Sequence, residues 1–166
     1  MVVATFSRMF RHFLMTRWQA RKAFSRHALN AIEKAIASAE AQHGGEIRVA
    51  VEAELTTHAL WRGLASRARA VQVFGELGVW DTEHNNGVLI YVLLADRVVE
   101  IVADRGYAEK VAASEWAQVC RLIEQAFQRG EFERGTVEGV AAASKLMARH
   151  FPSRDRNELP NRPAML

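Results

Sequence analysis

The stretch Gly87 to Ala95, GVLIYVLLA, constrains this chain more than any other. Val88 to Ala95 are apolar without a break, so an extended backbone there sends apolar side chains to both sides and both sides must be covered. The run is far shorter than the roughly 18 residues that cross a bilayer. Turn formers bound it, Asn85-Asn86 before and Asp96-Arg97 after. It therefore predicts a central strand with Val98, Val99, Ile101 and Val102 as its hairpin partner.

The rest of the chain supplies the cover. From Glu46 to Glu54 the pattern has period two, with Ile47, Val49 and Val51 on one side, which reads as a half-buried strand. Leu29, Ile32, Ile36 and Ala39 return at helical spacing after a Ser25 cap, with Gly44-Gly45 as a left-handed stop. Leu60, Leu64, Ala68, Val71 and Phe74 do so after Thr56 or Thr57. Two further helices follow, one capped by Ser114 with Trp116, Val119, Cys120, Ile123 and Phe127 on its apolar face, the other reaching His150-Phe151-Pro152. This order implies a small mixed sheet flanked by helices, an α/β/α sandwich over residues 25–151, with a polar, mobile tail over 152–166.

Residues 1–24 form a separate unit, a basic amphipathic helix. Phe6, Met9, Phe10, Phe13 and Phe24 share one side at 100° per residue, with Arg8, Arg11, Lys22 and Arg26 opposite and Arg17 and Arg21 interrupting the stripe. The first 32 residues hold six basic side chains and no acidic one, whereas the remaining 134 carry a net charge of −3. The overall charge of +3 thus belongs to the arm. Its apolar positions are too interrupted for a secretory signal, although an Arg-rich, acid-free start also has the composition of an organelle transit peptide. Six cations near an anionic leaflet contribute at most roughly 6 kcal/mol before screening, and partly buried Phe6, Phe10 and Phe13 add to it. The competing reading packs these phenylalanines on the domain or on another subunit. Nucleic acid is not expected, because the acidic domain offers no extended basic groove.

Chemistry-bearing residues gather in one loop, Asp81-Thr82-Glu83-His84-Asn85-Asn86-Gly87. A hairpin turning at Asp96 returns Asp104 and Arg105 to this loop, and a parallel first strand brings Gly45 and Glu46 to the same rim. Asp81, Glu83, Asn85 and Asp104 are hard oxygen donors suited to Ca²⁺ or Mg²⁺, and Arg105 could hold a phosphate oxygen. The loop departs from a helix–loop–helix calcium site, with glycine at the seventh position and Val92 at the twelfth. A plainer account has Asp81 and Asn85 bonding their own turn. Serine-hydrolase, zinc-protease, phosphate-loop and dinucleotide motifs are missing, and Cys120 lies on an apolar helix side as inert packing. Trp61, Trp80, Trp116 and Phe127 read as core or boundary residues.

Asn85-Asn86-Gly87-Val88-Leu89-Ile90, followed by Asp96-Arg97 and preceded by a helix ending near Trp80, resembles the TPM domain family. Phe132-Glu133-Arg134-Gly135 with Gly139-Val140 is similar to that family's last helix. The resemblance covers roughly Ala28 to Phe151 and suits a short bacterial-type member. It implies an α/β/α sandwich and action near membranes: plant members lie in the thylakoid lumen with an acid phosphatase activity, and animal ones are receptor accessories. Many relatives carry Gly-x-Gly after the second hairpin strand, where this chain has Ala103-Asp104-Arg105-Gly106-Tyr107. The expectation is an accessory module meeting a membrane surface or a membrane protein through Phe6, Phe10, Phe13 and the six basic residues, cytoplasmic and peripheral on the inner membrane. The alternative is a metal-dependent acid phosphatase built on the acidic loop.

Overall fold

The apolar run becomes β2 (Gly87–Leu93), buried along its whole length. The computed structural model describes residues 2–153 and 156–166, with side chains from Ser7 onward. β1 (Glu46–Glu52) lies parallel to β2 with Glu46 opposite Gly87, and β3 (Val98–Ala103) lies antiparallel with Ala103 opposite Val88. A short β4 (Ala164–Met165) joins the far side of β1 in parallel, giving the order β3-β2-β1-β4.

Alternation along the strands makes two cores. Ile47, Val49, Val51, Val88, Ile90 and Ile101 face α3 (Arg26–Glu40), α6 (Ala113–Gln128) and α7 (Phe132–Ala148). Ala50, Leu89, Tyr91, Leu93 and Val102 face α4 (Thr57–Trp61) and α5 (Ser66–Glu76). The fold is the expected α/β/α sandwich.

Several local expectations need correction. Thr57 to Glu76 is two helices, because Gly63 takes a left-handed φ of +67° between them. Gly44 and Gly45 do not end α3 in a left-handed turn. A side chain at Gly45 would instead collide with the Tyr107 hydroxyl and Met147. α6 starts behind Ala112, whose N–H is capped by Glu115, so Ser114 is not the cap. β1 is covered on both sides, with Glu46 and Glu52 buried. Trp61 and Trp80 are exposed, while Trp116 is buried.

Where the sequence reads as a polar mobile tail, the structure lays residues 156–166 along β1. Leu159 is buried, and its N–H donates to Glu46 Oε2 at 3.1 Å. Arg48 donates to the carbonyls of Pro160 and Arg162, and the Leu166 N–H donates to Val51 O at 2.9 Å. This segment pairs with the outer edge of β1 and adds Leu159 to the core on the α4–α5 side.

The arm is two helices, not one. α1 (Val2–Leu14) ends before Thr16, which caps α2 (Arg17–Ala23). Thr16 Oγ1 accepts the Gln19 N–H while Gln19 Oε1 accepts the Thr16 N–H, the reciprocal arrangement that starts a new helix. Ala20 and Phe24 bury against the α3–α6–α7 core.

Candidate functional site

The sheet has two chemically distinct ends. At the end where β1 and β2 begin, Gly87 stands against the Val79 carbonyl with no room for a Cβ, so glycine is required by close approach and not by φ. Asn85 takes a φ of +53°, and the loop is held by Thr82, whose hydroxyl accepts the Asn86 N–H at 3.1 Å. The Asp104 N–H donates to Gly87 O and the Glu46 N–H to Asn86 O, which gathers the rim as the hairpin argument requires.

The side chains expected to act together there do different things. Asp81 and Glu83 are exposed, and the Glu83 N–H meets Glu158 of the C-terminal segment. Asp104 Oδ1 accepts the Arg105 N–H at 2.7 Å. Arg105 Nε donates to Asn85 Oδ1 at 2.8 Å, so Asn85 neither bonds its own turn through this oxygen nor leaves Arg105 wholly free. Among the described residues no three His, Cys, Asp or Glu side chains converge in a metal-holding cluster. Two oxygens at the rim are nevertheless buried without a hydrogen-bond partner, Asn86 Oδ1 and Asp104 Oδ2. Asn86 is 1% exposed and was not among the expected ligands; only its place between Asn85 and Gly87 could have drawn attention to it.

Beneath the rim lies a buried polar layer. Tyr107 donates to Asn86 O at 3.1 Å, and burial, reinforced by Glu46 and Asp104, keeps its phenol protonated. His43 Nδ1 accepts the Gly45 N–H, which leaves Nε2 to donate to Ser144 Oγ at 2.9 Å; burial lowers its pKa. Glu40 accepts the Ile47 N–H at 2.8 Å, and burial pushes its carboxyl up to about 8 against that bond.

The opposite end, where β2 turns into β3, holds the arm. Asp96 accepts three bonds from Arg8, at 3.2 Å and 2.9 Å from Nε and 2.7 Å from Nη2, and Arg11 stands 3.5 Å away. His12, 1% exposed, accepts the Leu55 N–H at Nδ1 (2.9 Å) and places Nε2 3.1 Å from Asp96 Oδ1. Burial would raise the Asp96 pKa, but His12 and Arg8 hold it well below the usual carboxylate range. Arg8 and Arg11 are therefore committed to the domain and leave the expected set of lipid-facing cations.

With its polar side clamped, α1 turns aromatic residues outward. Phe10 is 64%, Phe13 85% and Leu14 54% exposed, and Trp18 on α2 is 68% exposed. Arg17, Arg21, Lys22 and Arg26 are exposed on the same segment, with no carboxylate partner among the described residues. Phe24 is buried, and the Phe6 side chain lies outside the described residues. No described helix is long and apolar enough to cross a membrane.

Comparison with known proteins places the architecture. Residues 19–146 match the family model of the TPM domain. The solution structure of BA42 from the psychrophilic bacterium Bizionia argentinensis is 33% identical, with 86% of this chain and 94% of that one covered at a TM-score of 0.71. The N-terminal domain of a protein from P. gingivalis is 17% identical over 81% of this chain and 82% of its own, at a TM-score of 0.61, a likeness of fold alone. No curated protein matches.

Proposed function

Because this chain belongs to the TPM domain family, we propose that it is an accessory module of that family which docks reversibly on an anionic membrane surface through the outer side of α1 and α2. The observation that carries the reading is the exposure of Phe10, Phe13 and Leu14 on α1, whose Arg8 is bound inward, and of Trp18 on α2, near four cations that have no carboxylate partner among the described residues. Aromatic side chains suit the headgroup boundary, and each cation near an anionic leaflet contributes about 1 kcal/mol before screening. Four such cations give at most roughly 4 kcal/mol, so the apolar side chains must supply part of the binding. The expected result is co-flotation of the full chain with vesicles containing phosphatidylserine, weakened by salt and lost in Phe10→Ser/Phe13→Ser. Equal flotation of wild type and variant, or none by either, would refute the reading.

A second reading is favoured by the unpartnered Asn86 Oδ1 and Asp104 Oδ2. Hard oxygens left buried without a donor fit a divalent cation such as Ca²⁺ or Mg²⁺. A cation held by Asp104 and Asn86 would polarise a phosphate oxygen or activate water, the chemistry of a phosphatase. Asp81 and Glu83, being exposed, stand outside this pair. Thermal stabilisation by millimolar Ca²⁺ that disappears in Asp104→Asn, together with phosphate release from an aryl phosphate, is the expected result. No shift and no release would remove this reading.

A further inference from the structure

Residues 156–166 are held against β1 chiefly by polar bonds. Within this segment only Leu159 and Pro163 are buried. The rest of the grip is the Leu159 N–H on Glu46, Arg48 on the carbonyls of Pro160 and Arg162, the Leu166 N–H on Val51 O, and Arg162 on Glu33 of α3 at 2.9 Å. A peripheral segment with so little apolar burial opens locally at lower cost than the central strands.

Glu40, the last residue of α3, stands at this junction. Its Oε1 accepts the Ile47 N–H of β1 at 2.8 Å, while its Oε2 is buried without a hydrogen-bond partner. Asn161 of the C-terminal segment lies beside the carboxyl, and Glu46, the same carboxylate that anchors Leu159, opposes a charge on it. The other charged and titratable groups of the surrounding elements are engaged elsewhere. Glu33 is paired with Arg162, Arg48 is held by carbonyls of the segment, His43 by Gly45 and Ser144, and Glu158 by the Glu83 N–H. Among the described residues no cation pairs with Glu40, so burial beside Glu46 keeps its carboxyl neutral, in agreement with a pKa pushed up to about 8.

We propose that the C-terminal segment is a pH-released strap: it lies closed along β1 while Glu40 is neutral, and ionisation of Glu40 beside Glu46 opens it, hydrating both carboxylates and baring the outer edge of β1. Opening returns Glu40 toward its ordinary 4.5, so protons favour the closed form. The open fraction therefore rises with pH between 4.5 and about 8, by at most roughly tenfold per pH unit, and levels off above.

The test is hydrogen exchange at single amides of the full chain between pH 6 and pH 8, with intrinsic rates divided out. Leu159 and Leu166, whose N–H groups bind the strap to β1, should be less protected than Ile90 and Val92 of β2 at every pH. Their protection should fall at least roughly tenfold from pH 6 to pH 8. Glu40→Gln keeps an acceptor for the Ile47 N–H but cannot ionise, and its strap protection should be the same at both values. The carboxyl carbon of Glu40 in the unaltered chain should titrate near 8, a readout that does not depend on how the variant folds. The proposal is overturned by strap protection that ignores pH, by an equal fall in Glu40→Gln, or by strap amides as protected as those of β2, which would mean that the strap opens only with the whole fold. A Glu40 midpoint in the ordinary carboxylate range would overturn it as well.

Discussion

At the scale of single residues, Asp96 fixes what the arm presents to solvent. It ties Arg8, Arg11 and His12 to the hairpin turn, and α1 is thereby oriented with Phe10 and Phe13 outward. Asp96→Asn keeps the shape but removes the charge, which should cost about 1–3 kcal/mol and raise amide exchange across α1 while β2 stays protected. Unchanged exchange in α1 would mean that Asp96 is not its anchor. Glu40 gives a second residue-scale expectation. Its folded pKa of about 8 lies above the ordinary 4.5, so the unfolded chain releases this proton first. Stability from the protonated form is complete below about pH 4.5 and drains away as pH rises through 8. Glu40→Gln should flatten the decline in thermal midpoint between pH 5 and 8; an unaltered slope would assign the decline elsewhere. Gly87→Ala should destabilise by about 1–3 kcal/mol, because a methyl there overlaps the Val79 carbonyl. Calorimetry should show a midpoint lowered by roughly 2–10 °C.

At the scale of elements, legibility depended on whether a segment declared itself locally. The apolar run and the Asp96-Arg97 turn were enough to place β2 against β3 and to bring Asp104 to Gly87. The break at Thr16 had a signal, Thr-x-x-Gln, that a single amphipathic stripe conceals. β4 had none: its segment is polar and proline-containing, and it is held by backbone bonds and by Arg48 and Glu46 instead of apolar periodicity. The clamp on α1 was equally hidden, since His12 and Asp96 are 84 residues apart and nothing in their spacing announces the pair. The tail's role can be measured. A chain ending at Arg156 loses buried Leu159 and the bonds to β1, which should lower stability by roughly 3–5 kcal/mol and expose a strand edge to association. An unchanged denaturation midpoint and a monomeric mass would show that β4 is not structurally required.

At the scale of the whole molecule, the length of the sheet separates the two candidate sites. One end carries a rim with two unsatisfied oxygens, the other an arm whose aromatic side is turned out by its own ion pair. The charge asymmetry in the sequence marked the arm by its composition; the direction it faces depended on which arginines the domain would claim, and its second helix packs into the domain's own core. The most direct measurement is paramagnetic broadening of the full chain's amide signals by anionic vesicles bearing a headgroup spin label. Docking as described predicts broadening confined to α1 and α2 and strongest around Phe13 and Leu14. Broadening centred on α4, α5 or the Asn86 rim, or none at all, would contradict it.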